Sequence, residues 1–600
     1  MLSLKNKRLF PLILSLSLLS FKAYAEPLPY MCRFGKPELN GATAYSFANH
    51  DAQKGGHINI GSTESTFDSL NPFIVVGNAA AGLMDTFDPL MRRSPKEPFT
   101  LYANIAKTAD LSKDNATITF TLDEKAVFHD GSAITSHDIK ATVETLIEKG
   151  WPRYKKFYGQ IQKIDCLDDH TIRFTFKPLA DNTYDPEIPF IIASLRPLSK
   201  KQLDSIDLKA SGLTVLTGSG PYKISKVDPG HSIVYERVKD YWAKDKGVNK
   251  GTYNLDSLKI VYYKNSQVHL NGFSAGDVNL YVPADQATFK QVQNFSKVKS
   301  GSYTAVRQEH ALPVIVKTLA FNMRRESFQN PLVREALNVL FNFEDFNKVC
   351  LQNSSKRAKS LFANTKLAHF GPLSEEEKAV IALNPKLFTP EILKNLEEPY
   401  NCGGLSLRDS QEKASKLLDK AGFKLDSKGK RLDAKGNNLT FELIYKDPKL
   451  EKLTLSLKKS FESIGINLLT RFIDTVQYEN RTTSHDFDMI VHCWGNSRSP
   501  GVEQSYYFDS KQAVIQGSSN YIGTQDQTLD WIASQVSLAK DDKELQGRVK
   551  LLDRYVMKNY FMIPLFYDNT TYIAFDKSKL ALPKYEPEVG FKLELAYAPQ

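Results

Sequence analysis

The chain is 600 residues long, 42% apolar and 24% charged, a balance that excludes a disordered or low-complexity protein. That length supports two or three domains with ample core. The formal charge is +10, but Lys and Arg alternate with Asp and Glu, and without a basic stripe the chain does not read as a nucleic-acid binder.

Residues 1–25 predict a cleaved secretory signal peptide. Lys5, Lys7 and Arg8 lead an apolar run from Leu9 to Phe21, and Ala23-Tyr24-Ala25 supplies a small-x-small site. The run is too short to span a bilayer comfortably, so no membrane anchor is expected. Cys32 stands behind Pro27 and Pro29 rather than directly after the run, which argues against a lipoprotein. The expected product is a soluble periplasmic chain starting at Glu26. The leader carries four cations and no acid, which leaves a charge of +6.

Thr117–Leu122 and Thr171–Phe176 alternate with period two, the pattern of half-buried strands. Between them His129-Asp130-Gly131 reads as a turn. Thr135 then caps a helix with Asp138 three residues on; Ile139, Val143, Leu146 and Ile147 form its apolar face and Gly150 ends it. Gly218-Ser219-Gly220-Pro221 lacks the lysine and helix of a phosphate loop and reads as a strand-to-strand turn. A second helix follows Asn330, with Pro331 at its first position and Val333, Ala336, Leu337 and Leu340 on one face. From about 363 to 404 the period fades, which predicts an irregular excursion. A third helix carries Ala414, Leu417, Leu418 and Ala421 and stops at Gly422. With no repeat, heptad run or flexible linker, the domains are expected to pack against each other.

The five cysteines are Cys32, Cys166, Cys350, Cys402 and Cys493, none in a CxxC pair. Cys350, at a helix end, and Cys402, in a turn-like stretch, bracket the irregular segment. A disulfide between them is expected, closing a loop of about fifty residues for roughly 3–5 kcal/mol. Cys166 and Cys493 lie in apolar strand-like surroundings and read as buried free thiols. The chain lacks GxSxG, HExxH and GxxxxGK[ST], and no two of its eleven histidines stand at i, i+4. No catalytic residue, cofactor or metal set is expected.

Five stretches in order resemble the family 5 extracellular solute-binding proteins, the peptide- and nickel-binding receptors of ABC importers. Phe67-Asp68-Ser69-Leu70-Asn71-Pro72-Phe73 is similar to the early D-x-L-(D/N)-P segment. Phe128-His129-Asp130-Gly131 followed by Ile134-Thr135-Ser136-His137-Asp138-Ile139 is similar to F-x-D-G-x-x-(L/I)-T-A-x-D-V. Thr217–Tyr222 matches G-(T/S)-G-P-Y, Asp240-Tyr241-Trp242 matches (N/D)-Y-W, and Val333–Leu337 matches V-R-x-A-(L/I). Lys54-Gly55-Gly56 and Ser499-Pro500-Gly501-Val502-Glu503-Gln504 resemble the YejA-like branch, linked to oligopeptide and microcin C uptake.

The resemblance implies an α/β, two-lobed periplasmic binding protein of the large three-subdomain type, with mixed sheets flanked by helices. Lobe I would span 26–314, with an inserted subdomain at about 75–205; lobe II would span 315–560; 561–600 would return to lobe I. Two chain crossings would then form a hinge, with the ligand in the cleft. The implied role is a monomeric receptor, not an enzyme, that passes an oligopeptide to an ABC permease and ATPase in the inner membrane. Alternatives are the same fold binding haem, nickel or an oligosaccharide, or a secreted hydrolase or folding helper. The relatives' amine-binding aspartate after a Trp-x-x stretch has no counterpart here, where the chain reads Trp494-Gly495-Asn496-Ser497-Arg498-Ser499-Pro500. Candidate ligand-binding residues are Asn71, Phe73, Trp494, Asn496, Ser497, Arg498, Ser499 and Glu503. Glu503, the nearest downstream carboxylate, either replaces the missing acid or is a solvated loop charge. Trp494 either stacks on the ligand or fills the core.

Overall fold

The computed structural model describes residues 27–39, 44–62, 64–74, 77–210, 212–400 and 404–599. The expected signal peptide and Cys402 lie outside the described residues. Three large apolar cores organise the described residues, with smaller clusters beside them. One gathers side chains such as Leu101, Phe120, Ile139 and Phe174. A second is built around Ile58, Tyr235, Leu258 and Ile573. The largest runs from Leu319 to Phe566.

Each core is tied to a sheet. The expected strands form as Thr117–Leu122 and Thr171–Phe176, paired at the centre of a four-stranded antiparallel sheet with Ala106–Leu111 and Ile161–Asp168 outside them. A seven-stranded mixed sheet runs Tyr303–Glu309, Thr570–Asp576, Leu280–Tyr281, His57–Gly61, Ser257–Val261, Ser232–Arg237, Tyr222–Asp228. A six-stranded mixed sheet runs Lys356–Arg357, Met562–Tyr567, Ile315–Phe321, Met489–Gly495, Thr440–Tyr445, Asn467–Phe472. The chain thus leaves the seven-stranded sheet after Glu309 and comes back between Tyr567 and Thr570. There Thr570–Asp576 pairs antiparallel along the whole of Tyr303–Glu309.

Local chemistry explains the helices. Ser136–Lys149 opens with a reciprocal cap: Thr135 N–H donates to Asp138 Oδ2 at 2.9 Å. Pro331–Val339 starts with Asn330 accepting from Leu332 N–H. The Arg334 guanidinium is buried in that helix and donates to the carbonyls of Asn559, Phe328 and Gln329. The stretch from 363 to 404 is not an irregular excursion. It holds the helices Glu375–Leu383 and Pro390–Glu397. Each is under three turns long, with one or two buried positions, so its apolar stripe is brief. Their signals are the Ser374/Glu377 capping box and Thr389 followed by Pro390. The helix around Ala414 spans Leu407–Lys420. Cys350 closes the helix Phe343–Cys350, half-buried. The expected buried thiols also differ: Cys166 is half-buried and Cys493 exposed, because Cys493 takes the opposite strand face from Trp494.

Two of the five family-like stretches bond to one buried aspartate, Asp88, and a third packs on them. Its oxygens accept from Arg92 Nη2 at 2.7 Å, Tyr241 Oη at 2.8 and 2.9 Å and Trp242 Nε1 at 3.2 Å. Its own N–H donates to Ser219 Oγ. Ser219 and Gly220 N–H both donate to the Thr86 carbonyl. The stretch 218–221 is therefore no simple turn but a backbone strap laid on 85–88. Its glycines are sterically required: a Cβ would stand 2.0 Å from Thr86 O at Gly218 and 2.4 Å from Asp85 O at Gly220. His129 completes the knot, its N–H donating to Gly218 O and its Nε2 lying 2.9 Å from Gly220 O.

Asp88→Asn keeps the shape but removes the charge that Arg92 faces. We expect a loss of about 3–5 kcal/mol, read as a lower melting temperature. A variant as stable as the native chain would show that the knot is not what holds these parts together.

Candidate functional site

The strand Met489–Gly495 lies inside the six-stranded sheet and delivers the loop 496–502 towards the rest of the molecule. Trp494, which precedes the loop, is buried. Its ring stacks on Phe508 at 5.3 Å and meets Tyr507 and His492 edge-on. Its Nε1 is buried without a partner. Asn496 donates to Leu361 O at 2.8 Å and accepts from Gln504 Nε2.

From Ser497 onwards the loop meets residues of the other two cores. Ser497 is exposed and accepts from Ser499 N–H. Arg498 Nη1 donates to Pro95 O at 2.6 Å and Glu588 O at 2.9 Å. Arg93 Nη1 reaches Ser499 Oγ at 3.4 Å. Val502 N–H donates to Glu187 Oε2 at 2.6 Å. Gly501 N–H donates to both oxygens of Glu503, at 3.1 and 3.0 Å. The Glu187 carboxylate lies so close to Gly501 that a Cβ there would stand 1.9 Å from it.

Two carboxylates thus accept from consecutive backbone N–H groups, Glu503 from Gly501 and Glu187 from Val502. Burial, then Glu503 and Asp185, push Glu187 up to about 8, and burial also raises Glu503. Arg33 and Lys156 act on them from a distance, their own contacts lying elsewhere. Arg33 donates to the carbonyls of Ser537 and Ala539. Lys156 sits over the Tyr506 ring at 5.2 Å, and burial lowers it to about 8. Ser537 Oγ donates to Asp185 Oδ2 at 2.9 Å.

Arg93 also lines a polar cavity of about 420 Å3 beneath the helix Pro152–Tyr158. Arg92, Arg196, Asp85, Tyr154 and Tyr253 share its wall. Phe73 closes one side of it, packed edge-on against Phe87 at 5.1 Å. Asn71 is fully buried away from solvent: it donates to Leu208 O at 3.2 Å and accepts from Phe73 N–H at 2.9 Å, which fixes the turn that seats Phe73.

The structure therefore gathers Asn496, Ser497, Arg498, Ser499 and Glu503 along one seam. Phe73 stands on the neighbouring cavity, and Asn71 and Trp494 lie in the packing behind. Sequence reasoning missed Glu187, Asp185, Arg33, Arg93, Lys156 and Arg196, which come from separate loops and short elements with no shared spacing. Among the described residues no group of three or more His, Cys, Asp or Glu could hold a metal ion, and no helix is long and apolar enough to cross a membrane.

Residues 100–515 match the family model described as bacterial extracellular solute-binding proteins, family 5 Middle. Over 92% of its length the chain is 32% identical to the peptidoglycan-binding protein YepA of Agrobacterium fabrum, covering 92% of that protein. It is also 32% identical to that organism's probable peptide-binding protein YejA, over 92% of this chain and 90% of the relative. The oligopeptide-binding protein AppA of Bacillus subtilis, solved with a nonapeptide, shares the fold with a TM-score of 0.69 at 18% identity, over 92% of this chain and 100% of AppA.

Glu187 keeps its proton up to about pH 8 in the native state, against an ordinary value of 4.5. The native state binds more protons in that window, so stability falls as pH rises through it. We expect the melting temperature of ligand-free protein to decline between about pH 5 and 8, and Glu187→Gln to flatten the slope. A slope untouched by that substitution would assign the titration elsewhere.

Proposed function

The chain belongs to the bacterial extracellular solute-binding proteins of family 5, in its YejA-like branch, and from that premise we propose that it captures oligopeptides between two lobes. In this reading it acts in the periplasm as a monomeric receptor and hands its peptide to the permease and ATPase of an ABC importer in the inner membrane. Members of the family are binding proteins of such importers, which supports a role without catalysis.

The observation that carries the reading is the seam at 498–503. Arg498, Ser499 and Val502 of one lobe bond directly to Pro95, Glu588, Arg93 and Glu187 of the other. A closed cleft has contacts of this kind, and the crossings at 309–315 and 567–570 support a two-stranded hinge. A peptide would meet backbone donors and acceptors there, which give affinity without regard to sequence. The Agrobacterium relatives named for peptide and peptidoglycan binding support short peptides as the solute, those of the cell wall included.

The missing amine-binding aspartate has a replacement in this reading. Glu503 and Glu187 stand on either side of Gly501, and burial keeps a proton on Glu187 near neutral pH. An incoming ammonium displaces that proton and supplies the positive charge that the two acids lack.

Native mass spectrometry of protein purified from cells tests the solute class. We expect a ladder of co-purified peptides, and a single haem, metal complex or sugar in their place would overturn the peptide reading. Glu503→Gln should weaken a free-amine peptide about tenfold, and its N-formylated twin less, because a charge-assisted hydrogen bond outweighs a neutral one. Calorimetry that gives equal losses for both would remove Glu503 from amine recognition. Small-angle scattering should give a smaller radius of gyration with peptide than without it.

A further inference from the structure

We propose that the cavity walled by Arg92, Arg93 and Arg196 is a second recognition site, one that takes a carboxylate of the bound solute. It rests on the peptide reading above for the nature of the solute, and on the cavity's own residues for its chemistry.

Arg196 carries the argument. Other enclosed guanidinium groups of the molecule are spoken for. Arg92 is held by Asp88 and by Tyr253 Oη at 2.6 Å. Arg334 is held by three carbonyls, Arg431 by Asp419, and Arg554 by Glu377. Arg196 has no hydrogen-bond or ion-pair partner among the described residues, and its Nε is buried and unpaired. The group opens instead on the cavity. Burial, then the neighbouring Arg92 charge, lower its pKa from the usual guanidinium value. Asp88 and Asp85 act on it only from a distance, and an enclosed guanidinium that makes no hydrogen bond costs stability, a cost that points to a group arriving from outside.

The missing partner can be named by chemistry. A guanidinium is a planar fork of donors that fits a carboxylate with two parallel hydrogen bonds. The cavity, about 420 Å3, has room for such a group on a peptide side chain or chain end. Asp85 and Glu594 stand on the same wall, and burial followed by Glu594 pushes Asp85 up to about 6. That acid balances the site while it is empty and gives up its charge readily. Arg93 lines the cavity and reaches Ser499 Oγ at 3.4 Å, so one side chain links the cavity to the seam where the peptide is proposed to lie.

Four tetrapeptides test the proposal by calorimetry: Ala-Ala-Glu-Ala and Ala-Ala-Gln-Ala, each with a free or an amidated C-terminus. For the native protein, loss of one of the two carboxylates should weaken binding about tenfold or more. The amidated pair reports a chain-end carboxylate and the Gln pair a side-chain one. Arg196→Met should erase that penalty and leave the peptide without the carboxylate bound as before. A penalty that survives in Arg196→Met overturns the proposal, as does a native protein indifferent to both carboxylates. Should Arg196→Met fail to fold, Arg196→Lys is read instead. It keeps the charge but not the fork, and it must lower the penalty at least threefold. A native protein that binds none of the four peptides counts against the peptide reading, and the cavity is then probed with glutarate by thermal melting. A rise in melting temperature that disappears in the Arg196 variant supports the site, and no rise rejects it.

Discussion

A carboxylate shut away from water must find its hydrogen bonds inside the protein, and Asp88 finds all of its own in a single knot. Arg92, Tyr241 and Trp242 reach it from different parts of the chain, and Ser219 receives its backbone N–H. These bonds lock the segment at 85–92 against the stretch that leads into the seven-stranded sheet. They also fix where Arg92 stands, and hence one wall of the cavity that Arg196 faces. The neighbouring glycines, Gly218 and Gly220, follow from the same constraint, since only bare backbone fits against the Thr86 and Asp85 carbonyls.

This gives the family-like stretches a physical reading. The sequences around His129, Ser219 and Trp242 are far apart in the chain, yet all three close on the Asp88 segment. The one around Arg334 ties a helix to three carbonyls in the largest core, and the one around Asn71 pins a turn. Each of the five makes scaffold bonds, and only the first, through Phe73, also reaches the wall of the cavity.

The seam carries the opposite signature. Glu187, Glu503 and Asp185 are acids raised by burial, with Arg33 and Lys156 turned to carbonyls and an aromatic ring rather than to the carboxylates. Scaffold charges such as Arg554 and Glu377 are paired and buried together. Acids raised by burial at the seam and a guanidinium without a hydrogen bond in the cavity are costs that the packing does not relieve. They are the kind of cost that functional sites retain, because a ligand relieves them. On the proposed reading the empty receptor is strained where the peptide-bound one is not, which couples solute to lobe contact.

The sequence by itself determined the strands at 117–122 and 171–176, the capped helices at 136 and 331, the family and its α/β class. Each of these rests on neighbours along the chain: alternation, a cap three residues away, a proline at a first turn. It also pointed to the loop from Asn496 to Glu503. The helices inside 363–404 escaped because each is under three turns long and buries few side chains, although Ser374 with Glu377 marked one of them. Only the tertiary structure decided that Trp494 fills the core and that Asn71 supports a turn. It alone brought Glu187 to Glu503, 316 positions apart in number, and left Arg196 without a hydrogen-bond partner among the described residues. The reason is range. Hydrogen bonding along a helix or strand is written within a few residues. Whether a charge is compensated depends on what the fold carries to it from elsewhere, and no local pattern records that.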